Sequence, residues 1–195
     1  SGISLGASLN AGSGALLLEA GEDVTFAASG SIGVSAGSAT ITHGGALKVS
    51  GGGQHTLDVD LDVTDLQVFS GSLIVKKTLN NQGSTKIQGG TGRIELSTAG
   101  AAFINHAGKT LDIQNDLGIT GDGTAQSVQN FGLIKKTAGT GTSAITGTNL
   151  SFTNAANAQI IVDTGTLRFA TPGMFDTNSG RLTIAGGATL RIAPT

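Results

Sequence analysis

The chain has 195 residues, among them 32 glycines, 2 prolines and no cysteine, tryptophan or tyrosine. Its hydrophobic share of 38% is too large for a disordered linker, and the scarcity of proline excludes collagen. Nucleic acid is not an expected partner, because the net charge is −2 and the 11 basic residues are scattered rather than clustered.

Residues 1–53 contain short runs of aliphatic and β-branched residues separated by glycine. The runs lie at 15–18, 24–26, 31–34, 39–41 and 46–49. Glycine supplies the positive φ that sharp corners need, and short strands at this spacing indicate an all-β fold. No apolar run approaches the roughly 20 residues of a membrane helix, so the segment is not expected to be embedded in a membrane.

The longest alternating stretch follows at residues 57–63. Its odd-numbered residues are aliphatic, and its even-numbered residues are the aspartates Asp58, Asp60 and Asp62. Successive side chains of a strand point to opposite faces. One face of this strand is therefore predicted to be buried, and the carboxylates are predicted to lie in water.

The second half of the chain repeats. Five asparagines recur at intervals of 24 or 25 residues, each a short distance after an apolar residue. They are Asn81, Asn105, Asn130, Asn154 and Asn178. A repeat of this length is typical of stacked solenoid proteins, in which each unit contacts only its neighbours.

Each repeat contains three short apolar segments. One set of equivalent positions in the proposed alignment is Ile94, Ile119, Ile145, Leu167 and Leu190. We therefore predict an all-β, right-handed parallel β-helix (β-solenoid) with about 24 residues and three short strands per coil, its hand following the crossover rule. Residues 1–195 are predicted to form one solenoid, with less regular coils in 1–78 and regular coils in 79–195. The start without Met and the incomplete last coil favour a piece of a longer protein.

Stretches such as Phe152–Phe169 and Leu79–Leu96 resemble the β-helical stalks of large bacterial surface proteins. Autotransporter passengers and filamentous-haemagglutinin-like adhesins share with them an Asn-x-Gly turn, an aliphatic strand and a Gly-Thr-Leu-type strand. The resemblance covers residues 79–192. It implies a secreted stalk or adhesin at the bacterial cell surface, whose partners would be a host surface, a neighbouring cell or glycans. The lack of grouped catalytic residues predicts that the module has no enzymatic activity. The chain lacks the Asn-Pro-Asn-Gly signature of two-partner secretion domains.

The asparagines have two interpretations. They form either an internal ladder of carboxamides at a corner, where asparagine tolerates a left-handed backbone, or an external polar row that contacts a ligand. The flanking phenylalanines and aliphatic residues favour the internal ladder.

No metal or cofactor site is predicted. Asp58, Asp60 and Asp62 are hard-cation ligands by type, but side chains about 7 Å apart along one strand do not converge on one ion. The segment Gly89–Ile94 nearly spells a calcium-binding repeat, yet Ile94 occupies the ligand position.

Catalytic residues are not predicted either. Glycan cleavage needs paired carboxylates or a cation with a basic residue, whereas the candidates here are isolated in sequence: Asp112, Asp116, Asp163, Glu95, Arg93, Arg168 and Arg191. Arg168 and Arg191 are expected to stack on one outer face, with Glu95 in the same row. The alternative function is a glycan-binding or polysaccharide-cleaving β-helix, such as a phage or toxin protein that trimerises.

The remaining polar residues are assigned to the surface. His43, His55 and His106 share no metal-ligand spacing. Lys76-Lys77 and Lys135-Lys136 are predicted to be solvated strand ends.

Overall fold

The computed structural model describes residues 1–6, 8–27, 32–35, 37–170 and 175–193, with the backbone alone for 32–35 and 175–177. Every regular element in these ranges is a β-strand. The strands are β1 (Ile3–Leu5), β2 (Leu9–Asn10), β3 (Ala15–Ala20), β4 (Val24–Phe26), β5 (Ile32–Ser35), β6 (Ser38–His43), β7 (Leu47–Val49), β8 (Gln54–Asp58), β9 (Leu61–Val68), β10 (Ser72–Val75), β11 (Thr78–Ile87), β12 (Arg93–Leu96), β13 (Ala102–Asn105), β14 (Thr110–Ile113), β15 (Gly118–Gly121), β16 (Gln126–Asn130), β17 (Leu133–Lys136), β18 (Thr142–Thr146), β19 (Leu150–Asn154), β20 (Gln159–Val162), β21 (Thr166–Ala170), β22 (Phe175–Asn178), β23 (Arg181–Ile184) and β24 (Thr189–Ile192). None of the described residues belongs to a helix that could cross a membrane.

The strands stack in parallel as a β-solenoid of about 8 turns, with equivalent strands ~23 residues apart, which confirms the predicted fold. Face 1 contains β1, β4, β7, the second halves of β9 and β11, β14, β17, β20 and β23. Face 2 contains β2, β5, β8, β10, β12, β15, β18, β21 and β24. Face 3 contains the first halves of β9 and β11, then β13, β16, β19 and β22, with β3 and β6 forming a separate ladder below them. The chain visits the faces in the order 1, 2, 3.

Alternation along the strands builds the core. On face 3 the inward positions Leu79, Phe103, Val128 and Phe152 lie in register and are at most 1% exposed. Phe152 also contacts Phe169 of face 2, with ring centroids 4.5 Å apart. Burying one such side chain contributes about 1.5–3 kcal/mol, so each coil is stabilised by the coils above and below it.

The alignment of the coils predicted from the sequence is wrong at one position. Ile145 pairs with Phe169, and Leu167 pairs with Ser143, so Leu167 lies two residues away from its predicted register. Both Leu167 and Phe169 are inward positions of the same strand. A period-two pattern cannot choose between registers that differ by two residues, because both keep the same face buried.

Candidate functional site

The asparagines form a buried ladder at the end of the face 3 strands. The Asn81, Asn105 and Asn130 side-chain amides each donate to the carboxamide oxygen of the next asparagine at 2.7 Å, and Asn154 donates to Asn178 at 2.8 Å. Only Asn178, the last in the ladder, is exposed.

Each of these asparagines also stabilises the corner that follows the ladder position. The second proton of Asn81, Asn105 and Asn130 goes to a backbone carbonyl of the next coil, at 2.8, 3.0 and 3.1 Å. The predicted internal ladder is confirmed, and an external ligand row is excluded for the four buried members. The expected left-handed backbone is wrong: these asparagines have ordinary strand φ, and the positive φ at such a corner belongs to Asn157.

Lys136 is the most unexpected interior residue. It lies at the end of β17, in register with Ile113 below and Val162 above, and its side chain is fully buried. Its ammonium bends into the corner between faces 1 and 2. There it donates to the Asn115 and Ala138 carbonyls at 3.0 and 2.9 Å.

Two side chains complete the cradle of this ammonium. The Ser143 hydroxyl oxygen accepts from Lys136 at 2.9 Å, and the half-exposed Asp116 carboxylate accepts at 3.2 Å. A buried charge is tolerated only when it is paired and fully hydrogen-bonded. The cluster around Lys136 therefore has a structural role: it holds the corner between faces 1 and 2 together. The prediction that Lys136 is a solvated strand end is wrong. Aligning the coils by alternation would have placed it inward, opposite Ile113 and Val162.

His55 is also buried rather than on the surface, which corrects a second prediction. It is 0% exposed, lies in register with Leu73 and stacks on Phe26 at 6.1 Å. Neither ring nitrogen has a hydrogen-bond partner of normal geometry. Burial lowers the pKa of His55, and the Ser50 backbone only partly opposes this effect. The imidazole is therefore neutral in the folded protein at pH 7.

His43 and His106 are half-buried and serve corners. The His43 ring lies 3.0 Å from the Gly45 carbonyl, and the His106 ring lies 3.2 Å from the Asn80 side-chain oxygen. Among the described residues no three His, Asp or Glu side chains come together as a metal ligand set.

The aspartate stretch alternates as predicted but is not a single strand. Leu57, Val59, Leu61 and Val63 are at most 3% exposed, which confirms the buried side. The strand breaks after Asp58 and resumes at Leu61, so the carboxylates are spread around the corner between faces 2 and 3. Asp60 accepts a hydrogen bond from the Thr78 amide at 2.7 Å.

The same corner carries backbone strain two coils further along. Thr98 has a φ of 95°, a conformation that a β-branched residue rarely adopts. Its hydroxyl donates to the Lys76 carbonyl at 2.7 Å, and its amide donates to the Asp122 carboxylate at 3.1 Å. Hydrogen bonds from the Thr124 hydroxyl and amide, the largest effect, hold the pKa of Asp122 well below its usual range.

The charged residues of face 2 do not form the predicted row. Arg168 and Arg191 are in register, as expected. The arginine row continues through Ala144 to Gly118, whereas Glu95 pairs with Thr120, two positions further along the strand, so its predicted place is wrong. Glu95 accepts from Arg93 at 2.5 Å and from Ser72 at 2.9 Å, and it thereby links neighbouring coils.

The other acidic candidates lie apart from these residues. Asp112 is only 4% exposed and accepts from the Thr137 hydroxyl at 2.7 Å and the Gln114 amide at 2.8 Å. Lys135 lies 3.4 Å from its carboxylate. Asp163 is exposed, in the corner between faces 1 and 2. Ile94 of the near-calcium motif is fully buried in register with Leu73 and Ile119.

A surface notch is present at the corner between faces 3 and 1. Phe131 is 41% exposed there, and the notch is also lined by Lys109, Leu133, Asn157 and Gln159. None of these side chains is predicted from the sequence to form a site. The available signal was an aromatic residue directly after a ladder asparagine, at a position held by Gln82, His106, Ala155 and Ser179 in the other coils.

Comparison of the chain with protein-family models, with curated protein sequences and with solved structures finds no match.

Proposed function

We propose that this chain is a rigid, non-catalytic module of a bacterial extracellular surface protein, serving as a stalk or adhesive segment. The observation that carries the proposal is the continuous interior: the asparagine ladder and the aliphatic rows join every coil to the next. About 8 turns at ~4.8 Å per strand spacing give a rod of roughly 40 Å.

The disposition of the charged groups supports a structural role. Lys136 with Asp116 and Lys48 with Asp23 pair residues of neighbouring coils. Glu95 pairs with Arg93 on its own strand and accepts a hydrogen bond from Ser72 of the preceding coil. Groups engaged in this way are not poised for proton transfer to a substrate. The extracellular setting is supported by the resemblance of residues 79–192 to bacterial surface stalks.

Force spectroscopy tests the stalk. The chain is placed between two marker domains and pulled from its ends. We expect stepwise release of whole coils, each adding roughly 8 nm at about 3.4 Å per residue for some 24 residues. Smooth extension at low force, without discrete steps, would show a linker rather than a stalk.

Adhesion is tested separately. Beads coated with the protein are passed over epithelial cells and over bacteria, with beads coated with heat-unfolded protein as control. Retention above the control supports an adhesive segment, and no retention restricts the function to a stalk.

Glycan binding is the second candidate, and the exposed Phe131 beside polar side chains favours it. Cleavage is tested by incubating the protein with acidic polysaccharides and measuring new reducing or unsaturated ends. Turnover that survives repurification would refute the non-catalytic assignment.

A further inference from the structure

The corners between faces 3 and 1 alternate in length. The strands that end at Asn81, Asn130 and Asn178 reach face 1 through two residues: 82–83, 131–132 and 179–180. The strands that end at Asn105 and Asn154 use four residues, 106–109 and 155–158. Short and long corners therefore follow one another along this edge of the solenoid.

The long corners are β-turns. The backbone amide of Lys109 donates to the His106 carbonyl at 3.0 Å, and the backbone amide of Ala158 donates to the Ala155 carbonyl at 3.1 Å. Their third residues, Gly108 and Asn157, have φ of 73° and 67°. The two turns are two coils apart, about 9.6 Å, and the short corner at Phe131 lies between them.

The short corner is held close to the turn below it. A Cβ on Gly132 would lie 2.3 Å from the Lys109 carbonyl oxygen and 2.5 Å from that of His106. This contact fixes Phe131 in the recess between the two turns. The equivalent residue of the next coil is Ala155, which follows Asn154 as Phe131 follows Asn130. Its methyl group is too small to cover a phenyl ring.

The lining has the chemistry of a carbohydrate site. Phe131 offers an apolar surface to the C–H groups of a sugar ring, while exposed Gln159 and Asn157 offer amides to its hydroxyls. Lys109 adds a cation. None of the ion pairs among the described residues involves Lys109, whereas Lys135 on the same face is paired with Asp112.

We infer that the notch at Phe131 binds an acidic sugar residue, a uronic acid within an extended oligosaccharide, whose carboxylate is paired by Lys109. The inference rests on the adhesive part of the proposed function. It is independent of the stalk, since the pulling experiment does not involve this notch.

The probes are tetramers of galacturonic acid and of mannuronic acid, with a neutral galactose tetramer for comparison. Amide chemical shifts of the full chain are followed by NMR during titration with each. We expect the acidic tetramers to shift residues 108–110, 131–133 and 157–159, and the binding to weaken as salt is raised, because Lys109 is partly exposed.

Two variants separate the contributions, and neither removes a core contact. Phe131→Ala is expected to weaken the dissociation constant for the acidic tetramers roughly three- to tenfold. Lys109→Gln is expected to weaken it about two- to fivefold and to leave the neutral tetramer unaffected. The matched controls, Phe69→Ala at another exposed corner and Lys86→Gln on face 1, should bind as the parent does.

Three results would overturn the inference. One is the absence of shifts with both acidic tetramers at the notch. Another is equal binding by Phe131→Ala and the parent, with both folded by circular dichroism. The third is equal affinity for neutral and acidic tetramers, which would refute the assignment of an acidic ligand.

Discussion

Replacing Asn130 with alanine tests the role of the asparagine ladder. Asn130 lies in the middle of the ladder and is 0% exposed. Its carboxamide makes four hydrogen bonds. It donates to Asn154 at 2.7 Å and to the Gln159 carbonyl at 3.1 Å, and it accepts from Asn105 at 2.7 Å and from the Gly132 amide at 3.2 Å.

The expected cost follows from the partners left behind. A typical hydrogen bond contributes about 1 kcal/mol net, but a buried group that loses its partner costs about 1–3 kcal/mol. Asn105 keeps a bond to the Leu133 carbonyl at 3.0 Å, so its loss is partly compensated. The Gly132 amide and the Gln159 carbonyl lose the bonds made by Asn130. We expect Asn130→Ala to lower the free energy of unfolding by about 3–5 kcal/mol.

Asn178 provides a matched control. It occupies the same register at the exposed end of the ladder and accepts one hydrogen bond, from Asn154 at 2.8 Å. Because Asn178 is exposed, water can replace it as the acceptor of the Asn154 amide, and Asn178→Ala should cost less than about 1 kcal/mol. Urea unfolding followed by far-ultraviolet circular dichroism measures both variants. Equal stability losses in the two would refute the conclusion that the buried ladder holds the coils together.

Three further predictions concern other positions. Lys136→Met should lower the free energy of unfolding by about 2–3 kcal/mol in urea titration, because it leaves the Ala138 carbonyl without a donor and Asp116 without its cation, while the Asn115 carbonyl keeps its bond from Ser143. Lys135→Met should change the free energy of unfolding by less than about 1 kcal/mol, and equal effects of the two variants would contradict the buried cradle. Burial lowers the pKa of His55 in the folded protein, so as the pH falls the histidine of the unfolded chain takes up a proton before that of the folded protein does. The free energy of unfolding is therefore not reduced by His55 above pH about 6.5, and it decreases as the pH falls below that value. His55→Leu should reduce the change in melting temperature between pH 7 and pH 5. If the melting temperature of the variant changes as much as that of the parent, other groups cause the pH dependence. Gly132→Ala should cost about 2–3 kcal/mol in urea titration through its backbone clash, and Gly186→Ala, with open space around its Cβ, should cost under about 0.5 kcal/mol; similar losses would show that the short corner tolerates a side chain.

The repeat made the architecture predictable. Asparagines recurring every 24 or 25 residues, with three apolar segments between them, are sufficient to predict a three-faced solenoid. Alternation also identified the buried side of residues 57–63. The period could not fix the pairing of Leu167 with Ser143, because a shift of two residues keeps the same side chains inside.

The errors at Lys136 and His55 have a common physical origin. Residue type predicts a solvated position for both, since burying a polar group is costly unless it is compensated. The compensation at Lys136 comes from Asn115, Asp116 and Ser143, which corners bring together from elsewhere in the chain. At His55 the ring is buried as a neutral group. Neither environment is visible in a local stretch of sequence.

Periodicity and alternation are local properties of the chain, so the fold class, the coil length and the internal position of the asparagines could be predicted from the amino-acid sequence. Which side chains share a corner depends instead on how the coils stack. This stacking brings Phe131 between the turns at Gly108 and Asn157 and leaves Lys109 beside it without an ion-pair partner among the described residues. The number of residues in a corner can be counted from the sequence. The depth of the recess at that corner depends on the corners of the coils above and below it.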